Sequence, residues 1–204
     1  MTAAAGTQRA DLELRPVDWL RPLDWTDVWD QASGPVEVDV GCGKGRFLLA
    51  RAARFPASRF LGIDRQLRRL RKIERAALRG GALNIRLLRA DAAYVTPYLL
   101  PDASVDTFYI FFPDPWPKKK HWDKRLLDDA FVDALAAKCK PGALVHFATD
   151  HLAYFESVRT RFEARRAFAP CAPFAPRPEE RTDFELLFSP LGPIGRCSFR
   201  RTRS

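Results

Sequence analysis

Cysteine is scarce in this sequence, and its copies stand far apart. The four occupy positions 42, 139, 171 and 197, form no C-x-x-C pair and have no histidine at ligand spacing. Neither a zinc site nor a disulfide framework is expected, and a reducing compartment suits such a chain. The three histidines, His121, His146 and His151, do not cluster in sequence. No apolar run reaches the roughly 18 residues that a membrane span requires. The opening MTAAAGTQRADLELRP lacks the apolar centre of a secretory signal, so the expected setting is the cytoplasm, with no membrane and no metal. There are no internal repeats. With 204 residues, 47% of them hydrophobic, the chain can build one sizeable core.

What the chain has in excess is positive charge. The formal net charge is +9 and the pI near 9.8, a balance that favours a polyanionic partner, most often a nucleic acid. The cations are concentrated in three runs. RQLRRLRKIERAALR at 65–79 carries seven against one acid, KKKHWDKR at 118–125 five against one, and RCSFRRTRS at the C-terminus four against none.

Residues 1–34 are polar and proline-bearing, with Trp19, Trp25 and Trp29 spaced through them. They read as an N-terminal extension that docks through its tryptophans on a domain spanning 35–204. From residue 35 strands and helices alternate. PVEVDV (35–40), RFLGID (59–64), NIRLLRAD (84–91), SVDTFYIFF (104–112) and ALVHFATD (143–150) read as strands. Residues 45–55, 65–79, 126–140 and 152–166 read as helices, the third stopped by Pro-Gly. The late runs DFELLF and GRCSFRR are expected to form a hairpin. This alternation predicts an α/β fold, a mostly parallel, doubly wound Rossmann-like sheet with helices on both faces and a C-terminal antiparallel hairpin. In such sheets the ligand lies beyond the carboxyl ends of the strands, where strand order reverses. The unusual residues of this chain fall just there: DVGCGKG, GID, RAD, FFPDPW and ATD each follow a strand.

GCGKG places Gly41, Gly43 and Gly45 between a strand and a helix, where glycine permits a tight turn and close approach of a ligand to the backbone. A dinucleotide fingerprint would want glycine at 46, and this chain has Arg46. The acids point to a cofactor without phosphate. S-adenosylmethionine carries a sulfonium and an ammonium against one carboxylate. Asp39 suits its ammonium end, Asp64 its ribose hydroxyls and Asp91 its adenine amino group. The plainer reading of each acid is a helix cap or a solvated turn.

EVDVGCGKGRFL, FLGID, RADA, FFPDPWPKKKH, ATD and RTDFE, in this order and spacing, resemble the bacterial tRNA (guanine-N7-)-methyltransferases. FFPDPWPKKKH is the most specific of them. The resemblance runs from about residue 36 to the C-terminus. It implies a class I methyltransferase fold and transfer of a methyl group from S-adenosylmethionine to N7 of a guanosine in the tRNA variable loop. It further implies that Asp39, Asp64 and Asp91 contact the cofactor, that Asp114 is the catalytic acid and borders the cofactor, and that Lys118, Asp150, Thr182, Asp183, Phe184 and Glu185 bind substrate. Asp39 stands where the family usually has glutamate, and Asp183 where it usually has lysine. Rival readings are a methyltransferase for an amine, a protein or a small molecule, a nicotinamide-dependent oxidoreductase, and a basic RNA-binding module without catalysis. Whether the chain is a monomer or a homodimer is not written in the sequence.

Overall fold

The computed structural model describes residues 11–29 and 33–203. One eight-stranded sheet runs through them in the order β1-β4-β3-β2-β5-β6-β8-β7. The strands are β1 (Glu13–Leu14), β2 (Val36–Val40), β3 (Arg59–Asp64), β4 (Ile85–Arg89), β5 (Val105–Phe111), β6 (Cys139–Thr149), β7 (Phe168–Cys171) and β8 (Gly195–Arg201). The pairs from β1 to β6 are parallel, whereas β8 lies antiparallel to both β6 and β7. Val36, Val38 and Val40 of β2 are fully or almost fully buried, as expected of a central parallel strand covered on both faces.

The helices are α1 (Trp25–Val28), α2 (Arg46–Arg54), α3 (Leu67–Gly80), α4 (Ala92–Tyr94, continued by a π-turn over Val95–Leu99), α5 (Asp129–Lys138), α6 (Leu152–Glu163) and α7 (Asp183–Phe188). α2 and α3 share one face, where Leu48, Ala52, Leu70, Ile73 and Ala77 close over Phe60, Ile85 and Leu87. α5 and α6 close the other through Val132, Leu135, Tyr154, Val158 and Phe162. Gly45 lets the first pair meet: a Cβ there would lie 2.4 Å from Ile73 Cγ1, and its φ is +80°. Gly62, unremarked in the sequence, does the same in β3, where a Cβ would lie 2.5 Å from Leu48 Cδ2.

Three expectations need correction. DFELLF is a helix and not a strand, because the Thr182 side chain caps it by accepting from the Glu185 N–H. The hairpin is instead β7 with β8, so Phe168–Cys171 supplies the strand assigned to DFELLF. Third, Pro141-Gly142 does not end a helix. α5 stops at Lys138, Cys139 is already extended, and the Pro-Gly pair lies inside β6 where its register against β5 shifts.

The segment before residue 35 contributes more than tryptophans. Leu12 is buried, and Glu13 and Leu14 pair with Leu87 and Leu88 as an edge strand. Trp29 is buried and packs at 5.2 Å on the half-buried Trp25, while Trp19 is exposed. Residues 1–10 and 30–32 of that segment lie outside the described residues.

Candidate active site

Strand order reverses between β2 and β5, and the candidate residues gather at the carboxyl ends of the strands on either side. In β2, Asp39 is level with Gly62 of β3 and with Tyr109 of β5. The loop that follows turns through three left-handed glycines, with φ of 77°, 57° and 80° at Gly41, Gly43 and Gly45. It is tied to β3, since the N–H groups of Gly41 and Cys42 both donate to the Ile63 carbonyl at 2.8 and 2.9 Å. A Cβ at Gly41 would meet nothing within 4 Å, so the loop backbone is open on that side.

The three acids differ in what they already hold. Asp64 is buried and engaged. It accepts from Gly43 N–H at 3.0 Å and Gln66 N–H at 2.8 Å and pairs with Arg69 at 3.4 Å. Asp91 is half-exposed, caps α4 by accepting from Ala93 N–H and pairs with Arg65 at 3.5 Å. Asp39 is 5% exposed and has no hydrogen bond or ion pair among the described residues. Burial, with the charge of Asp64 beside it, pushes its carboxyl up to about 8.

Asp114 follows β5 in a loop bent at both ends. Phe112 and Trp116 have φ of 53° and 41°, a region that costs a non-glycine residue about 1–3 kcal/mol and is kept where the surroundings enforce it. Phe112 is held by its N–H, which donates to the Ala148 carbonyl at 2.8 Å. Trp116 lies under the Lys124 ammonium at 5.1 Å and against His121. Between them Asp114 is exposed and has no partner among the described residues. Arg125, 8% exposed, secures the far side: its Nε donates to the Pro115 carbonyl at 2.8 Å while its guanidinium packs between Trp122 and Tyr154. Lys118 precedes a 3-10 turn over Lys119–Lys124, its carbonyl accepting from the His121 N–H at 2.9 Å, and Lys118, Lys119 and Lys120 are exposed.

Asp150 is exposed at the end of β6, whose Ala148 lies level with Phe111. The late motif is brought to the same edge by three contacts. Phe184 packs on Phe112 at 4.9 Å, Arg46 Nε donates to the Arg181 carbonyl at 3.0 Å, and Glu185 pairs with Arg196 of β8 at 2.8 Å. Within it Thr182 is spent as a cap and Glu185, buried, also binds Arg181 at 2.9 Å, whereas Asp183 and Phe184 are exposed. The structure therefore brings all the candidate side chains to one end of the sheet; among the described residues Asp39, Asp114, Asp150 and Asp183 have no hydrogen bond or ion pair, and of these four only Asp39 is buried.

Sequence reasoning overlooked what fastens this late motif. Arg51 on α2 meets Glu37 at 3.2 Å, Tyr109 at 2.8 Å and Glu180 at 3.3 Å, and Arg54 joins Glu180 at 2.9 Å. Burial pushes the Glu180 carboxyl up, but hydrogen bonds from Arg54 and the Arg177 N–H and the charge of Arg51 outweigh it and hold it below its usual range. Glu37 was a readable signal, as the second acid facing the same side of an otherwise apolar strand. Arg125 and Arg46 gave none. Among the described residues no group of His, Cys, Asp or Glu side chains could hold a metal, and no helix is long and apolar enough to cross a membrane.

A family model described as a putative methyltransferase matches residues 33–180. Among curated proteins, the tRNA (guanine-N(7)-)-methyltransferase of Chromohalobacter salexigens is 39% identical over 165 residues, covering 78% of this chain and 67% of that protein. The enzyme of the same name from Sodalis glossinidius is 33% identical over 177 residues, covering 84% and 74%. That of Thermotoga maritima is 35% identical over 159 residues, covering 78% of this chain but 50% of its own length. The chain thus spans about half to three quarters of the relatives it matches. Among solved structures, the 16S rRNA methyltransferase KamB superposes with a TM-score of 0.64 at 18% identity, over 86% of this chain and 93% of that one. An antibiotic-related methyltransferase superposes at 0.62 and 22%, over 92% and 95%. These two show the fold.

Proposed function

The chain belongs to the tRNA (guanine-N7-)-methyltransferase family, and from that premise we propose that it transfers a methyl group from S-adenosylmethionine to N7 of a guanosine in the variable loop of tRNA. The observation that carries the reading is the pairing of Asp39 with Asp114. One is a buried carboxyl group without a partner among the described residues, beside an open glycine loop, the other an exposed carboxylate held in a strained loop at the same end of the sheet. The donor set fits the cofactor. An unpaired buried acid suits an ammonium group and would repel a pyrophosphate. Asp39 would hold that ammonium, Asp64 the ribose with the valence left after Gly43, Gln66 and Arg69, and Asp91 the adenine edge. When bound, S-adenosylmethionine supplies an electrophilic methyl carbon on a sulfonium.

Guanine N7 attacks with its own lone pair and releases no proton, so the step needs no general base. The enzyme's task is alignment, which can supply roughly 7–11 kcal/mol. The product purine is cationic, and the Asp114 carboxylate stabilises that developing charge while accepting from the N1–H and amino edge of the base. Pro113 and Pro115 limit its backbone, and Arg125 anchors the loop behind it. Lys118, Lys119 and Lys120 meet phosphates outside the pocket, and Asp150 with residues 182–185 lines the substrate side. The target base must leave its stack to reach Asp114.

The test is incubation with unmodified tRNA and labelled S-adenosylmethionine, followed by nucleoside analysis. Label in 7-methylguanosine is expected. Label in another nucleoside, or in protein, overturns the reading.

A further inference from the structure

Residues 65–79 carry seven of the chain's cations, Arg65 just before α3 and six on it, and the structure divides them into two groups. Arg65 and Arg69 turn to the rim, where they pair with Asp91 and Asp64. Arg68, Arg71, Lys72, Arg75 and Arg79 are exposed, and none has an ion pair or hydrogen bond among the described residues. The one acid of the helix, Glu74, is occupied with the Leu12 N–H at 3.2 Å. Arg68, Lys72, Arg75 and Arg79 follow one another at steps of four, three and four, so they form a single stripe. At 1.5 Å of rise per residue the stripe is roughly 16 Å long. Such a row of like charges repels itself and is relieved by an anion of matching length.

Three features select the kind of anion. The apolar face of α3 is already spent, with Leu70, Ile73 and Ala77 buried against the sheet. None of the exposed large apolar side chains among the described residues lies on α3, whereas a helix that settles on a membrane brings apolar residues to it. The third feature is position. α3 leaves the cofactor rim just after Asp64 and runs back toward the amino ends of the strands. β3 lies two strand spacings, roughly 10 Å, from β5 and the lysine loop. A single nucleotide at Asp114 does not span to this stripe, but a folded RNA does.

We propose that the outer face of α3, through Arg68, Arg71, Lys72, Arg75 and Arg79, is a second docking surface, which grips the phosphate backbone of tRNA away from the nucleotide being methylated. This rests on the reading that tRNA is the substrate. It divides recognition in two, with the lysine loop and residues 182–185 taking the target nucleotide and α3 taking the body of the molecule.

The variant with Arg71→Gln, Lys72→Gln, Arg75→Gln and Arg79→Gln tests it, since glutamine is a good helix former at exposed positions. Its dissociation constant for unmodified tRNA should rise on the order of 100-fold at 0.15 M salt, and its log–log salt slope should become shallower by about 2.8–3.6 if four phosphate contacts are lost. Binding of a hairpin containing only the variable arm, and of S-adenosylmethionine, should stay as in the parent protein. A tRNA constant and slope equal to the parent's overturn the proposal, as does an equal loss for the hairpin. In the unmutated protein, whole tRNA should protect Lys72 from acetylation and the hairpin should not; an unprotected Lys72 also overturns it. If the unmutated protein makes no 7-methylguanosine, the functional reading fails instead, while these binding measurements still decide whether α3 holds RNA.

Discussion

α3, and α6 with the turn that follows it, both carry arginines at the surface, yet they handle their charge in opposite ways. Around α6, Arg159 pairs with Glu156 at 2.6 Å, Arg161 with Asp129 at 3.5 Å, and Arg165 with Asp129 and Asp133 at 3.0 and 2.5 Å. On α3 the outward cations are unpaired among the described residues, and only Arg69, with Arg65 just before the helix, meets an acid. The difference lies in the neighbours. α5 presents Asp129 and Asp133 to α6, whereas Glu74, the one acid on α3, turns to the backbone of Leu12. Paired charge is part of the architecture. Charge that the fold leaves unpaired, at the expense of self-repulsion or desolvation, is available to a ligand. The same distinction separates Asp39 and Asp114 from Glu180 and Glu185 at the opposite end of the charge scale.

If that distinction is sound, paired groups should report in stability and unpaired groups in function. The largest effect is expected at Glu180. Glu180→Ala takes from buried Arg51 one of its two carboxylates and from Arg54 its one carboxylate among the described residues, and should lower the stability to urea by about 3–5 kcal/mol, read from the denaturation midpoint. A loss under about 1 kcal/mol would mean that pairing there is incidental. Next comes Asp114→Ala, which should cut methyl transfer by about 10²–10³-fold, or roughly 2.7–4 kcal/mol. Its urea midpoint and its calorimetric constant for S-adenosylmethionine should not move. Unchanged transfer would remove Asp114 from the mechanism.

Asp39 yields a pH signature. Its carboxyl in the folded protein titrates near 8, far above the ordinary 3.8, so the folded state binds a proton that the unfolded state has lost. Stability should therefore decline as pH rises from about 4 to about 8. An ammonium partner requires the ionised form, so affinity for S-adenosylmethionine should climb by up to about tenfold per pH unit below 8 and level off above it. Asp39→Asn should flatten both profiles, which calorimetry and thermal melts across that range would record. The smallest effect belongs to Arg165→Ala, just past the end of the paired helix. Its hydrogen bond holds the Asp133 carboxyl below its usual range, but exposed pairs of this kind contribute at most about 1 kcal/mol. Its salt slope for tRNA should match the parent's; a shallower slope would place α6 on the RNA path.

Much of this arrangement is readable along the chain because it is local. An acid after a β-branched strand, glycines at alternate positions and an aspartate between two prolines are all events within a dozen residues, and they mark Asp39, Asp64, Asp91 and Asp114 before any packing is known. DFELLF misleads for the same reason: its apolar pattern suits strand or helix, and the decision rests on Thr182 capping Glu185. The junction of Arg51 with Glu180 joins residues 129 apart, and that of Phe112 with Phe184 needs the chain to return to the first sheet edge. No window of sequence contains either.

By itself the sequence determined the alternation of elements, the sheet end at which chemistry-bearing residues collect, and the excess of positive charge, because hydrophobic periodicity, glycine and net charge act over a few residues or over the whole composition. Only the tertiary structure decided which charges are spent and which are free. An ion pair depends on where two side chains meet after folding, and nothing in the identity of an arginine says whether an aspartate will be waiting for it.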